Sequence, residues 1–153
     1  MDGQILRDHR ERYGLTQAEV ARAAGMRQPD LSAIEHGRRG GAELHRRVQV
    51  AIRQLVRPSA VLADEEIRRE LRESLLRHGA RDIRVFGSTA RGVDRPGSDL
   101  DIMAKFPPGF DLFDLMEVEA ELEGLLGIRV DVVSDDDRTP YALADAKADA
   151  VRL

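Results

Sequence analysis

Apolar positions recur every three or four residues through most of the first eighty positions, and short alternating runs appear only after Gly79. A 3.6-residue period marks the buried face of a helix, and a two-residue period marks a half-buried strand. Ile5, Leu6, His9 and Tyr13 predict a helix over residues 4–13, which Gly14 stops. Thr16 caps the next helix, Gln17 to Ala24, with Glu19 three residues on as the return arm of a capping box. Val20, Ala21 and Ala24 form its apolar face, and Gly25 ends it. After a tight turn, Pro29 sits in the first turn of a third helix, Leu31 and Ile34 pair along it, and Gly37 closes it. Leu44, Val48, Ala51, Ile52 and Leu55 share one face of a helix over residues 42–56.

Arg57-Pro58-Ser59-Ala60 reads as a linker, because proline breaks the preceding helix. A helix from Leu62 to His78 comes next, begun at Ala63 or Asp64, with Ile67, Leu71, Leu75 and Leu76 on one face. Alternation then predicts strands over 83–88, 99–106 and 128–133, with a helical turn near 89–92 and a loop from Val93 to Gly97. Between the last two strands, Leu112, Leu115, Met116, Glu119, Leu122 and Leu126 recur at helical spacing over 112–126. Glu117, Glu119, Glu121 and Glu123 are expected to form its solvated face. An Ala-rich helix is expected over residues 140–151.

Composition narrows the chemistry. The 153 residues contain no cysteine, so disulfides, thiolate metal sites and cysteine nucleophiles are excluded. No run of apolar residues is long enough to span a bilayer and no secretory pattern opens the chain, so a cytoplasmic protein without a membrane partner is expected. The net charge of −4 hides an asymmetry. Residues 1–57 carry 11 Arg and no Lys against 7 acids, whereas residues 58–153 carry 13 basic against 21 acidic side chains. A basic first third suits a polyanionic partner, and an acidic remainder suits metal chemistry. His9, His36, His45 and His78 are scattered without ligand spacing.

Asp99 and Asp101 flank Leu100 on a predicted strand, so both carboxylates project from one face. Two convergent carboxylates repel, and a hard divalent cation relieves them, usually with substrate phosphates completing its shell. Upstream, Gly87 permits close backbone approach, Ser88 adds a hydroxyl and Arg91 a permanent charge. The pattern is Gly-Ser, ten residues, then Asp-x-Asp. With Ala90, Arg91, Gly92 and Ser98 in place, this stretch resembles the minimal nucleotidyltransferases of the DNA-polymerase-β-like superfamily. The resemblance implies a third carboxylate on the following strand, where Asp131 stands between Val130 and Val132. It also implies nucleotidyl transfer from ATP with two Mg²⁺ ions. In that scheme Asp99, Asp101 and Asp131 are catalytic and metal-binding, and Gly87, Ser88 and Arg91 bind the nucleotide.

The earlier stretch Leu15-Thr16-Gln17 to Gly37-Arg38 resembles the lambda-repressor-like (XRE) helix-turn-helix family over roughly residues 3–56. In that family the third helix enters the major groove. The resemblance places Arg27, Gln28, Pro29 and Ser32 at base edges, and Gln17, Arg38 and Arg39 on the DNA backbone. Pro29 and Asp30 depart from the usual pattern, since one lacks a donor and the other brings a negative charge toward DNA. In that family a helix such as 42–56 often packs two subunits together, so the resemblance implies a homodimer, with a hetero-oligomer with a toxin partner as the other expectation.

Together the two resemblances imply an α+β chain of two domains. Residues 1–57 would be an all-α helix-turn-helix bundle, and residues 58–153 a small α/β nucleotidyltransferase domain with a short mixed sheet. The implied function is the antitoxin of a toxin–antitoxin pair, which adenylylates a tyrosine of a HEPN-domain toxin and represses its own operon at operator DNA. The alternative is a transcription regulator whose second domain only binds a nucleotide or a partner. A transferase acting on small-molecule hydroxyls is expected to need a further helical domain, for which little chain follows Asp131.

Overall fold

The computed structural model describes residues 2–135 and 143–153, and the chain divides into two units, Met1–Val56 and Arg57–Leu153. In the first, α1 (Gly3–Arg12), α2 (Gln17–Ala23), α3 (Gln28–Glu35) and α4 (Ala42–Leu55) follow in order. The capping box at the start of α2 is formed: Glu19 N–H donates to Thr16 Oγ1 at 3.2 Å, and Thr16 N–H donates to Glu19 Oε2 at 2.8 Å. Leu6, Val20, Leu31, Ile34, Val48 and Ile52 are buried together as its core. Beside them lies a buried ion pair that no periodicity announces. Arg10 Nε and Nη2 donate to Glu35 Oε1 and Oε2 at 2.6 and 3.0 Å, and both side chains are at least nine-tenths shielded from solvent. Two charges withdrawn from water at this depth persist only when each is paired and hydrogen-bonded.

The second unit runs α5 (Pro58–Ala63), α6 (Glu65–Arg77), β1 (Arg81–Phe86), α7 (Gly87–Ala90), β2 (Leu100–Lys105), α8 (Leu112–Leu126), β3 (Val130–Ser134), α9 (Ala144–Asp149) and β4 (Val151–Arg152). The sheet order is β3-β2-β1-β4. β1 pairs antiparallel with β2 and with β4, whereas β2 and β3 run parallel and α8 makes the crossover between them. Leu71, Leu75, Leu100, Ile102, Met103, Val118, Leu122 and Leu126 fill the space between helices and sheet.

Four expectations are corrected here. Residues 57–60 are not a linker: Pro58 opens α5, where its missing N–H costs nothing. The helix expected over 62–78 is therefore two, separated at Asp64, which caps α6 by accepting from Glu66 N and Ile67 N at 2.9 and 3.2 Å. The final helix stops at Asp149, and Val151–Arg152 adds to the free edge of β1 instead; the first part of that expectation, 140–142, lies outside the described residues. The glutamate row of α8 is only partly a solvated face: Glu117 and Glu121 are exposed, whereas Glu119 and Glu123 are half-buried. Glu119 Oε1 accepts from Val132 N at 2.9 Å and Glu123 Oε1 from Val130 N at 3.4 Å, so two side chains one turn apart satisfy outward N–H groups of the edge strand β3. Glu121 accepts from Ser74 Oγ at 2.5 Å and Arg77 Nη2 at 2.6 Å and contacts His78 Nε2 at 2.8 Å, tying α8 to α6. The buried seam of α8 accordingly begins at Val118, and Leu112, Phe113 and Met116 are exposed.

Candidate active site

The chain leaves β1 at Phe86 and turns directly into the short helix α7, with Gly87 at φ +67°. A side chain is strained there for two reasons. The backbone is left-handed, and a Cβ would lie 2.3 Å from Asp101 Oδ2. The glycine thus lets a carboxylate on β2 lean over the start of α7. Ser88 comes next, half-buried, and Arg91 closes the helix at its exposed end.

Leu100 opens β2 and is buried, Asp101 within the strand is half-buried, and Asp99, expected to start the strand, lies just before it and is also half-buried. The parallel register sets Asp101 of β2 opposite Asp131 of β3. Val130 and Val132 point into the core, which leaves Asp131 on the exposed face. Burial, Asp131 and Asp99, in that order, push the Asp101 carboxyl up to about 6, with Arg91 pulling the other way. The part of that rise due to Asp131 and Asp99 is a repulsion between carboxylates that a divalent cation would relieve. The donor set therefore fits a divalent cation. Among the described residues no three His, Asp or Glu side chains make a closed ligand set. Arg91 Nη1 meets Asp149 Oδ2 of α9 at 3.1 Å, an exposed pair of the kind that contributes little to stability.

The helix-turn-helix residues are placed less uniformly. Arg27, Gln28 and Pro29 are exposed at the leading end of α3, Ser32 is half-buried one turn further, and Arg38 and Arg39 are exposed beyond its end. Gln17 instead turns inward, donating from Nε2 to Glu35 Oε2 at 2.8 Å. Asp30 is not a bare charge: it holds Arg27 Nε at 3.0 Å and Arg39 Nη1 at 2.6 Å. The Arg27 hydrogen bond lowers the Asp30 pKa. Sequence reasoning missed this clamp, although the three-residue spacing of Arg27 and Asp30 is one at which helical side chains meet.

Comparison with known proteins bears on both units. A nucleotidyltransferase domain model matches residues 65–151, and a helix-turn-helix domain model matches residues 3–71. The protein adenylyltransferase MntA of Thermococcus cleftensis is 44% identical over 81 residues, covering 48% of this chain and 79% of that protein. A Methanocaldococcus jannaschii protein that carries the provisional name of protein adenylyltransferase is 42% identical over 69 residues, 45% of this chain and 74% of that one. A solved structure, provisionally titled a minimal nucleotidyltransferase, is 40% identical, covers 58% of this chain and 94% of its own, and superposes with a TM-score of 0.49.

Proposed function

We propose, for a chain that belongs to the nucleotidyltransferase domain family and carries a helix-turn-helix domain before it, that the carboxylates at Asp99, Asp101 and Asp131 transfer AMP from ATP to a protein hydroxyl. The observation that carries this reading is the register of Asp101 opposite Asp131, beside the Gly87 turn. Asp99, Asp101 and Asp131 would hold Mg²⁺, two ions in all. The metal supplies charge stabilisation to the phosphate oxygens as they gain negative charge.

The remaining roles belong to the chain. Gly87 and Ser88 hold the β- and γ-phosphates through the backbone at the start of α7, and Arg91 leaves Asp149 to offset phosphate charge. Asp131, the exposed carboxylate of the pair, takes the proton of the acceptor hydroxyl, a role its exposure supports. The acceptor oxygen bonds to the α-phosphorus, the bond from that phosphorus to the bridging oxygen breaks, and pyrophosphate leaves.

The acceptor we propose is a tyrosine of a HEPN-domain toxin, which makes this chain the antitoxin of the pair. The names carried by its relatives support protein adenylylation as the reaction class. The exposed leading end of α3 supports operator binding, and with it repression of the chain's own operon. The test is incubation with ATP, Mg²⁺ and the product of the adjacent gene, followed by intact-mass measurement and peptide mapping. AMP on a tyrosine of the partner is the expected result. No added mass, together with unchanged operator binding, favours a transcription regulator whose second domain only binds.

A further inference from the structure

Asp94 lies five residues before Asp99, and its side chain is 0% exposed. All of its acceptors are directed at one place. Oδ2 accepts from the Ser59 backbone N–H at 2.8 Å, and the Asp94 carbonyl accepts from Arg57 Nη2 at 2.6 Å. The same guanidinium stands 3.6 Å from Oδ1, which makes no hydrogen bond of its own. Ser59 is in the first turn of α5, whose own N-cap, Arg57, offers no side-chain acceptor. Asp94 therefore caps α5 from a distant part of the chain, where a helix start favours an anion.

The residues after Asp94 transmit that anchorage. Ser98 N–H donates to Arg95 O at 3.0 Å, and Arg95 N–H donates to Ser98 Oγ at 2.9 Å. Pro96 and Gly97, the latter at φ +85°, occupy the two central positions of this turn, the arrangement that a type II turn requires. Leu100 N–H then donates to Arg129 O at 3.0 Å and enters the sheet. The chain is thus held at Asp94, across the 95–98 turn and again at Leu100, and Asp99 is the residue between the closed turn and the sheet.

We infer that Asp94 is a positioning residue for nucleotidyl transfer: by fastening the 93–98 loop to α5 it fixes where the Asp99 carboxylate stands relative to Asp101. This inference rests on the transferase reading. A cap that served stability alone would leave transfer intact, whereas a displaced ligand changes metal use and turnover.

The test compares the full-length wild type with Asp94→Ala, Asp94→Asn and Arg57→Ala. Backbone amide exchange is read by NMR, and AMP transfer is followed over a Mg²⁺ titration. In Asp94→Ala the amides of Ser98 and Leu100 exchange about tenfold faster or more while that of Ile102 does not change. Turnover falls about 10- to 100-fold, as misplacement of a reacting group produces. Half-saturation by Mg²⁺ moves to higher concentration, and the KM for ATP stays within about threefold. Asn keeps an oxygen that accepts from Ser59 N–H, so Asp94→Asn recovers most of both readouts. Arg57→Ala gives the same pattern in weaker form and serves if Asp94→Ala does not fold. Turnover and Mg²⁺ dependence unchanged in an active Asp94→Ala chain overturn the inference alone. Exchange accelerated uniformly across the sheet overturns it as well. A wild-type chain that transfers nothing overturns the transferase reading and this inference with it.

Discussion

Asp101 on β2 stands directly opposite Asp131 on the parallel strand β3, and its Oδ2 occupies the space that a side chain at residue 87 would need. Two carboxylates are thus brought together by backbone pairing, which does not relax when their charges repel. The half-buried Asp101, raised to about 6, is a local cost that the fold carries at its candidate site. Asp101→Asn removes one of the repelling charges at unchanged size. In metal-free buffer at pH 8 it is expected to melt about 2–4 °C above the wild type, which corresponds to roughly 1 kcal/mol for a chain of this size. Mg²⁺ with ATP raises the wild-type melting temperature and leaves that of the variant unmoved. Differential scanning calorimetry of the two proteins checks both statements.

Gly87→Ala tests the turn itself. The left-handed backbone and the 2.3 Å approach to Asp101 Oδ2 act together, so the variant either displaces Asp101 or unwinds the start of α7. A loss of about 1–3 kcal/mol in urea unfolding is expected, together with loss of nucleotide binding. A variant with wild-type stability and wild-type nucleotide affinity would show that the turn tolerates a side chain.

The Glu121 junction between α6 and α8 gives a pH signature. Hydrogen bonds from Ser74 and then His78 and Arg77 bring its pKa from 4.5 down to about 2. The folded value lies below the unfolded one, so the contribution to stability is complete above about pH 4.5 and is lost as pH falls toward 2. Thermal melts of wild type and Glu121→Gln should therefore differ at pH 5 and converge as the buffer is taken toward pH 2. The exposure of this carboxylate keeps the difference small.

At the exposed leading end of α3, proposed to meet DNA, Arg27→Ala and Gln28→Ala should each weaken specific operator binding by about 1–3 kcal/mol. Asp30→Ala releases both Arg27 and Arg39 from their carboxylate. Non-specific DNA binding should then tighten and its salt slope steepen by about one to two released counterions. Fluorescence anisotropy over a salt series separates the two effects, and unchanged slopes would remove α3 from the interface.

Much of this architecture was legible in the residues alone. Helical periodicity with the Thr16–Glu19 box located α2, and the same reasoning bounded α8 at Leu112 and Leu126. The i, i+2 spacing put Asp99 and Asp101 on one face, and the family resemblance brought in Asp131. The features that escaped depend on partners remote in sequence. Pro58 is the same residue whether it breaks a helix or starts one, and only Asp94, thirty-five positions beyond Ser59, supplies the cap that decides it. Glu119 and Glu123 look solvated until β3 presents its outward N–H groups to them. Arg10 and Glu35 are ordinary surface residues by composition, and the packing of α1 against α3 makes them a buried pair. Val151–Arg152 is too short to announce a strand, and it becomes one because β1 has a free edge.

The proposed transfer requires that Asp99, Asp101 and Asp131 with the Gly87-Ser88 turn form one metal–nucleotide site. Electron paramagnetic resonance of Mn²⁺, titrated into the full-length protein with and without a non-hydrolysable ATP analogue, addresses it without any partner protein. Wild type should bind Mn²⁺ tightly only when the nucleotide is present, and Asp101→Asn and Asp131→Asn should each weaken that binding by about tenfold or more. Equal Mn²⁺ affinity in all three proteins would contradict it.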